Sequence, residues 1–288
     1  MKLLVAAIST LLLTSYFSTV YAKDQIILWQ RNYERPAFRD FVILAAQKTK
    51  AEYGEYEILP SVNMEQGRAF SDLIRGKTLN LAIAGSSEDR EAQHLTIYIP
   101  IDRGLLGFKI CLITDDNPGF SGIDTVKDFN QKNLLIGAGT HWPDRRIYEL
   151  NGLRTVHSST YELLFEMLKR RRFDCFLRSL NEIEPEAIKY APKGVVAEKH
   201  VAFVYPYAAF MFVSKTTPRL KERLEKGLKM AIEDRSFYEL FDKHYLDIMK
   251  KYDFYNRKLI IFQRTNASPK ILDTVNQYGI ASFVGLNQ

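Results

Sequence analysis

The sequence predicts an α/β protein that is divided into two lobes. Short apolar runs typical of strands alternate with segments whose apolar residues recur at helical spacing. Of the 288 residues, 266 remain after a predicted leader at 1–22, and this length exceeds one average domain of roughly 100 to 150 residues. Two long apolar runs, at 104–114 and 201–213, enclose one α/β unit and therefore predict a hinge of two segments.

The N-terminus has the composition of a signal peptide. Lys2 precedes an apolar stretch, and Val20-Tyr21-Ala22 places small residues where a signal peptidase reads before Lys23. The alternative is a membrane anchor, but the stretch contains six Ser and Thr residues and is marginal against the roughly 20 apolar residues that a span needs. We therefore expect cleavage after Ala22 and a soluble, periplasmic protein.

The first lobe begins with a β-α-β-α-β series. The apolar pattern predicts a strand at 25–29, a helix at 37–48, a strand that ends at 58–59, a helix at 69–75 and a strand at 79–84. After the run at 104–114, Asp115 to Gly119 break the pattern and the second lobe restarts it.

The second lobe and the tail continue the alternation. Pro143 is expected in the first turn of a helix, where its missing amide would be unpaired anyway. Ser236 and Glu239 have the spacing of a capping box ahead of a tail helix. The other predicted elements are helices at 125–130, 161–170 and 182–190, strands at 134–137 and 173–177, and a helix that starts at Thr217 and Pro218. We expect residues 23–107 and 209–288 in lobe 1 and residues 108–208 in lobe 2.

Charge and cysteine content narrow the function classes. The net charge of +6 arises from 40 basic and 34 acidic residues spread along the chain, so no nucleic-acid partner is expected. The one dense basic run, at 169–172, closes a helical pattern and is read as a solvated helix end. Cys111 and Cys175 lie in apolar runs and are either disulfide-bonded or buried thiols. No spacing typical of a metal site is present, and we expect neither metal nor cofactor.

The loop at 85–90 is the first candidate binding site. It follows the apolar run at 79–84 and offers hydroxyls and the guanidinium of Arg90. A guanidinium favours carboxylate or phosphate because it donates two parallel hydrogen bonds. The loop therefore predicts an anion receptor, unless Arg90 only pairs with Glu88 or Asp89 on the surface.

The order of motifs along the chain resembles the type II periplasmic solute-binding proteins, specifically the family 3 polar amino-acid receptors. The resemblance extends over nearly all of the mature chain. Its motifs are Gly85-Ser86-Ser87-Glu88-Asp89-Arg90, Tyr98-Ile99-Pro100-Ile101, Ile136-Gly137-Ala138-Gly139-Thr140 and Arg172-Phe173-Asp174-Cys175-Phe176. It implies two α/β lobes that are joined by two hinge strands and close on a small ligand.

The resemblance also implies which residues bind the ligand. A hydroxyl residue and an arginine before the first hinge bind the α-carboxylate in that family, and these positions are Ser87 and Arg90. The backbone of the second-lobe loop, here Gly139 and Thr140, joins them. An aromatic residue after the first strand often stacks on the ligand, and Tyr33 is the nearest match.

One position departs from the family pattern. The acid that binds the ligand's amine is replaced by Ser179, next to Arg178, and desolvating an unpaired ammonium is costly. Glu182, Asp144 or Glu34 are possible substitutes. The sharper hypothesis is an anionic ligand without an obligatory amino group, with an amino acid or another solute as the alternative. Arg178 is either a ligand contact or structural, and Trp142, beside His141, either lines the cleft or only packs.

The predicted function is a monomeric, non-enzymatic binding protein that presents an anionic or zwitterionic ligand to a membrane transporter. A ligand-sensing subunit of a membrane receptor is the alternative, because closure makes a new surface for either partner. An exported hydrolase is the other class, since Ser86 or Ser87 with His141 and Asp144 are the required residue types. No Gly-x-Ser-x-Gly elbow surrounds either serine.

Overall fold

A computed structural model describes residues 23–117, 120, 122–190 and 192–280. The predicted signal peptide at 1–22 lies outside the described residues. The strands are β1 Asp24–Leu28, β2 Tyr56–Pro60, β3 Leu81–Gly85, β4 Leu95–Ile97, β5 Phe108–Thr114, β6 Ile136–Gly139, β7 Thr155–Ser158, β8 Cys175–Ser179, β9 Val195–Ala197, β10 Val201–Val204, β11 Ala209–Val213 and β12 Lys258–Ile261.

Helices connect and flank these strands in chain order. They are α1 Gln30–Tyr33, α2 Pro36–Lys48, α3 Lys50–Tyr53, α4 Gln66–Arg75, α5 Glu88–Gln93, α6 Val126–Gln131, α7 Pro143–Leu150, α8 Tyr161–Lys169, α9 Leu180–Tyr190, α10 Pro218–Glu233, α11 Ser236–Tyr245, α12 Ile248–Lys251 and α13 Pro269–Tyr278. Each element of the predicted first β-α-β-α-β series is present, with its ends within three residues of the predicted ones. Pro143 lies in the first turn of α7, as expected.

The first sheet has the strand order β2-β1-β3-β11-β4. β1 is parallel to both of its neighbours, while β11 is antiparallel to β3 and β4 and pairs Met211 with Ile83 and Ile97. All five residues of β3 are buried because this strand is central and covered on both faces. This sheet and its helices form the first lobe, and the end of β3 is where the candidate loop begins.

The second sheet has the order β12-β10-β5-β8-β6-β7, with β9 also paired to β5. β6 is parallel to β7 and β8, whereas β5 is antiparallel to β8 and β10. This sheet and its helices form the second lobe. Two sheets with flanking helices confirm the predicted two-lobe α/β fold.

The tail strand β12 departs from the expected division of the chain. Residues 209–288 were assigned to lobe 1, but Lys258–Ile261 pair in parallel with β10 at the edge of the second sheet. β12 adds a strand to the open edge of the second sheet at β10, and this position buries the side chain of Ile260. The rest of the expected division stays a proposal.

Two crossing segments connect the lobes and meet at Asp102. We call residues 98–107 the first crossing segment and residues 205–208 the second. The buried Asp102 carboxylate accepts hydrogen bonds from the backbone N–H of Gly104, Leu106 and Ala209, at 3.2, 2.8 and 2.9 Å, and from Asn181 Nδ2 at 3.1 Å. Burial raises the pKa of Asp102 to about 6, although the backbone hydrogen bonds oppose the shift.

The structure settles the question of the two cysteines. Cys111 in β5 and Cys175 in β8 form a disulfide, with their Cα atoms 5.1 Å apart. The bond becomes possible because β5 and β8 are neighbours in the second sheet. It fastens the strand that enters the second lobe to the centre of that lobe.

The predicted capping box of the tail helix is wrong. α11 begins at Ser236, so this residue is inside the helix and Arg235 takes the cap position without a capping side chain. The Ser236 hydroxyl instead donates to Asp234 Oδ1 at 2.6 Å. Among the described helices, none is long and apolar enough to cross a membrane.

Candidate functional site

A cavity of about 160 Å³ lies between the two lobes. The end of β3 and the helices α1 and α2 line it from the first lobe, and α7, α8 and α9 line it from the second. Its aromatic wall consists of Trp29, Phe38, Trp142, Tyr161, Tyr190 and Tyr207. Of the seven residues that the sequence predicts as ligand contacts, the cavity brings together Arg90, Arg178 and Trp142.

Arg90 projects from α5 across the end of β3. Its Nη1 donates to Gly85 O at 2.6 Å, and its Nη2 donates to Gln66 Oε1 at 2.6 Å and to His141 O at 3.3 Å. The guanidinium carbon also lies 4.0 Å from the centre of the Phe70 ring. Arg90 thus contacts both lobes. Its guanidinium donates to these acceptors instead of forming a surface ion pair with Glu88 or Asp89.

Arg90 is buried, and no carboxylate of the described residues lies within ion-pair distance of its guanidinium. The residue is 7% exposed and its hydrogen-bond acceptors are neutral. Burial lowers the pKa of Arg90 to about 10, and the phenol of Tyr207 and the carboxylate of Asp144 oppose this shift. An anion in the cavity would supply the missing charge.

The serines of the candidate loop do not line the cavity. The Ser87 hydroxyl caps α5 by accepting from the backbone N–H of Arg90 at 3.3 Å. Ser86 is fully buried, and its hydroxyl accepts from Arg264 Nη2 at 2.9 Å. In this geometry Ser87 shapes the helix that carries Arg90, and its predicted ligand contact stays a prediction.

Gly139 and Thr140 line a separate crevice of about 10 Å³ beside the cavity. Thr140 Oγ1 lies 3.1 Å from His157 Nδ1, and a Cβ at Gly139 would lie 2.4 Å from Trp142 Nε1. Gly139 therefore leaves room for the indole. The backbone of this loop, which was predicted to bind the ligand, does not line the cavity.

Arg178 belongs to a charged cluster that spans both lobes. Its guanidinium donates to Glu182 at 2.8 Å and to Glu186 at 2.5 and 2.8 Å. Arg35 of the first lobe donates to the same two carboxylates, at 2.8 and 2.5 Å. Burial opposes ionisation of Arg178, but the two carboxylates outweigh it and raise its pKa well above the usual range. The charge of Arg178 is therefore already balanced.

Trp142 lies at the centre of the aromatic wall. Its ring stacks on Phe176 with centroids 6.0 Å apart, and the Arg178 guanidinium lies 4.7 Å from the indole. Tyr33 is half-buried outside the cavity lining, where Arg39 lies 5.3 Å above its ring. The indole has the position of a ligand contact, while the Tyr33 ring does not face the cavity.

A buried ion pair occupies the neighbourhood of Ser179. Lys109 Nζ lies 2.6 Å from Asp144 Oδ1 and donates to Ser179 Oγ at 2.9 Å. Tyr205 OH also donates to Asp144 Oδ1, at 2.8 Å. Burial would raise the pKa of Asp144, but the Lys109 ammonium and the hydrogen bonds from Lys109, Tyr205 and Tyr207 outweigh it and lower the pKa. An ammonium of the protein therefore already satisfies Asp144.

One cation on the described cavity wall has no carboxylate partner. The lining residues of the described chain include six cations, of which five have a carboxylate within 4 Å. The paired groups are Arg31 with Glu65, Arg35 and Arg178 with Glu182 and Glu186, Lys109 with Asp144, and Lys189 with Glu34. Within the described residues, Arg90 is the lining cation that has no such partner.

The candidate hydrolase triad is not assembled. Within the described residues, neither Ser86 nor Ser87 is hydrogen-bonded to His141, and Asp144 is held by Lys109. The His141 ring instead lies against Gly67 of the first lobe, where an added Cβ would be 2.6 Å from it. In the same described part of the chain, no cluster of three His, Cys, Asp or Glu residues could hold a metal ion.

Several site residues escaped the sequence analysis. Lys109 and Tyr207 lie inside the two apolar runs that read as hinge segments, and Arg35 and Gln66 lie outside every motif. A lysine within the buried strand β5 was the one available signal, because such a charge needs a partner. The three acids that the sequence offers as substitutes, Glu182, Asp144 and Glu34, all line the cavity, but each already has a cation.

No protein-family model and no curated protein sequence matches the chain. Among solved structures, an ancestral arginine-binding protein bound to arginine superposes with a TM-score of 0.56 at 16% identity, over 77% of this chain and 99% of that chain. An amino acid ABC transporter substrate-binding protein from Streptococcus pneumoniae, bound to L-arginine, gives 0.55 at 15% identity, over 76% and 93%.

A third solved structure is a ligand-binding core. The GluR0 ligand-binding core from Nostoc punctiforme in complex with L-glutamate gives a TM-score of 0.53 at 11% identity, over 77% of this chain and 98% of that chain. Likeness at such identities establishes the fold alone. The resemblance indicated by the sequence motifs is thereby confirmed at that level: the chain has the two-lobe α/β fold of these amino-acid-binding proteins.

Proposed function

We propose that the protein is an exported, monomeric solute-binding protein that closes on a small carboxylate and presents it to a membrane transporter. The observation that carries the proposal is Arg90, the one lining cation in the described chain without a carboxylate partner. A buried guanidinium that donates only to neutral acceptors gains a charge-assisted, bidentate interaction when a carboxylate enters. The neighbours that bind arginine and glutamate support a ligand that carries a carboxylate.

The charge balance narrows the ligand to a monocarboxylate without an ammonium group. An incoming ammonium needs an acid, and each lining acid of the described chain is already engaged by a cation of the protein. These acids are Glu34, Glu65, Asp144, Glu182 and Glu186. A second carboxylate would meet no second free cation on the described wall. The cavity of about 160 Å³ is close in size to one of roughly 150 Å³ that holds benzene.

The partner and the compartment follow from the same proposal. Solved neighbours include substrate-binding proteins of amino acid ABC transporters, which supports a transporter as the partner. A membrane receptor stays the second candidate partner, because closure makes a new surface for either one. Export is supported by the composition of residues 1–22 and by the disulfide of Cys111 and Cys175, since disulfides persist in oxidising compartments.

A thermal-shift panel tests the ligand class. The panel holds benzoate and butyrate as monocarboxylates, L-glutamine as a zwitterion, glutarate as a dianion and glucose as a neutral solute. A ligand at a hundredfold excess over its Kd adds about 2.7 kcal/mol to the free energy of unfolding. For a chain of this size that is roughly 5 to 10 °C in Tm.

We expect the monocarboxylates to raise Tm more than L-glutamine and glutarate do, and glucose to leave it unchanged. If no carboxylate raises Tm, the proposed function is wrong. If L-glutamine gives the largest shift, the ligand still carries a carboxylate, but the proposal that it has no ammonium group is wrong. Incubation of the bound compound with the protein, followed by mass spectrometry, detects turnover and so tests the non-enzymatic assignment.

A further inference from the structure

Arg264 is a second buried guanidinium near the cavity, and it comes from the tail. It follows β12 and is 2% exposed. Its Nη1 donates to Pro206 O at 2.8 Å, and its Nη2 donates to Ser86 O at 2.7 Å and to Ser86 Oγ at 2.9 Å. One side chain of the tail thus holds both the loop after β3 and the second crossing segment.

The tail around Arg264 is fixed to both lobes. On the second lobe, β12 pairs with β10, and the backbone of Gln263 exchanges two 2.8 Å hydrogen bonds with the Asn151 side chain. On the first lobe, Ser268 Oγ donates to Glu91 Oε2 at 2.7 Å. Arg264 is therefore positioned by contacts on either side of the cleft.

The partners of Arg264 are the immediate neighbours of the groups that orient Arg90. Ser86 follows Gly85, whose carbonyl accepts from Arg90. Pro206 precedes Tyr207, whose ring lines the cavity and lies 4.8 Å from the Arg264 guanidinium. The Tyr207 ring also packs on the Gly85 backbone, where an added Cβ would lie 1.9 Å from the phenol oxygen. Fixing Ser86 and Pro206 therefore fixes the position of Gly85 O.

The positive charge of Arg264 also favours binding of an anion at Arg90. Within the described residues no carboxylate lies within ion-pair distance of it, and its three acceptor atoms are neutral. Burial lowers the pKa of Arg264, while the Tyr207 phenol and the Asp144 carboxylate oppose the shift. A second uncompensated cation behind Tyr207 adds to the attraction that an anion meets at Arg90, because screening is weak in a buried site.

We infer that Arg264 is a positioning residue for carboxylate binding at Arg90, and that through it the C-terminal tail is part of the binding site. The inference rests on the proposed function. A guanidinium is needed because its planar fork donates to Ser86 and Pro206 at once, which a single ammonium does less well.

Calorimetric titration measures this role, with whichever monocarboxylate of the panel, benzoate or butyrate, raises Tm more as the probe. The variants are Arg264→Gln and Arg264→Lys. The matched control is Arg257→Gln, since Arg257 is a buried tail arginine whose Nη1 donates to the carbonyls of Glu198 and Val201, away from the cavity. We expect Kd to rise about tenfold in Arg264→Gln, by less in Arg264→Lys, and less than twofold in Arg257→Gln.

A double-mutant cycle separates positioning from general destabilisation. If Arg264 acts through Arg90, the Arg264→Gln change should add little to the loss of affinity already caused by Arg90→Lys. Additive losses, or equal Kd values for Arg264→Gln and Arg257→Gln, would overturn the inference while leaving the proposed function intact. Absence of monocarboxylate binding by the wild-type protein would overturn both. Should Arg264→Gln not fold, the same comparison is made with Arg264→Lys and Arg257→Lys.

Discussion

Arg90 and Lys109 are both buried at the same cavity, but only Lys109 has a carboxylate partner among the described residues. Lys109 is 2% exposed and forms an ion pair with Asp144, in which Nζ lies 2.6 Å from Oδ1. Arg90 is buried to a similar degree with neutral acceptors alone, and burial lowers its pKa to about 10. The pair of Lys109 and Asp144 is therefore structural, whereas Arg90, which lines the cavity, is the cation that an anion in the cavity would meet.

Replacing Arg90 tests this distinction at one residue. We expect Arg90→Ala to lower the binding free energy of benzoate or butyrate by about 1.5 to 3 kcal/mol, the range for a hydrogen bond to a charged group. This is roughly a tenfold to hundredfold rise in Kd. Calorimetric titration measures it, with Arg75→Ala as the control because Arg75 is an exposed partner of Asp72. An unchanged Kd would mean that Arg90 does not contact the ligand.

Replacing Lys109 tests the opposite case. Lys109→Met leaves Asp144 buried without its cation, so we expect the free energy of unfolding to fall by about 3 to 5 kcal/mol. The double variant Lys109→Met with Asp144→Asn removes the stranded charge and should recover part of this loss. Urea unfolding at neutral pH measures both. A single variant that is no less stable than the double variant would contradict the interpretation of a mutually dependent pair.

At the scale of elements, α1 and the residues after it hold the two lobes together. Arg31 pairs with Glu162 at 2.9 Å, Glu34 with Lys189 at 2.9 Å, and Arg35 with Glu182 at 2.8 Å. In each pair one partner lies in the first lobe and the other on α8 or α9. Arg35 also pairs with Glu186 of α9 at 2.5 Å, so a single short segment carries four ion pairs that favour the closed cleft.

Acid should weaken this cluster through Glu182. Burial opposes ionisation of Glu182, but Arg178, Arg35 and Lys109 outweigh it and lower its pKa from 4.5. A carboxyl whose pKa is lower in the folded than in the unfolded state contributes stability above pH 4.5, and this contribution is lost as the pH falls through the lowered value. We therefore expect the free energy of unfolding to decrease below about pH 4.5, and less steeply in Glu182→Gln.

Urea unfolding at a series of pH values between 3 and 7 measures this dependence. Glu222→Gln is the control, because Glu222 is exposed on α10 and its replacement should leave the wild-type pH profile in place. Equal slopes for the wild type and Glu182→Gln would show that Glu182 is not held ionised by the cluster.

At the scale of the whole molecule, the alternation of strands and helices was enough to predict the fold, and local motif spacing was enough to locate Arg90. What the sequence did not reveal depends on contacts between distant segments. Lys109 and Asp144 lie 35 positions apart and meet only when β5 and α7 take their places in the second lobe. The pairing of Cys111 with Cys175 likewise depends on which strands are neighbours, which a single sequence does not encode locally.

The tail illustrates the same limit and leads to a prediction about the whole molecule. β12 is four residues long, and nothing in the sequence near it identifies β10 as its partner. Its placement means that the described part of the chain crosses between the lobes four times: through both crossing segments, before β12 and after it. Two further connections should restrict how far the cleft opens.

We therefore expect the radius of gyration of the ligand-free protein to decrease only slightly when benzoate or butyrate binds. Ile260→Pro should release β12, because proline removes a backbone donor and disfavours a paired strand. Small-angle X-ray scattering should then give a larger radius for ligand-free Ile260→Pro than for the wild type. Leu259→Ala is the matched control, since Leu259 lies in the same strand with 47% of its surface exposed. If Ile260→Pro is as compact as Leu259→Ala without ligand, the pairing of β12 does not limit opening, and the two crossing segments alone govern it.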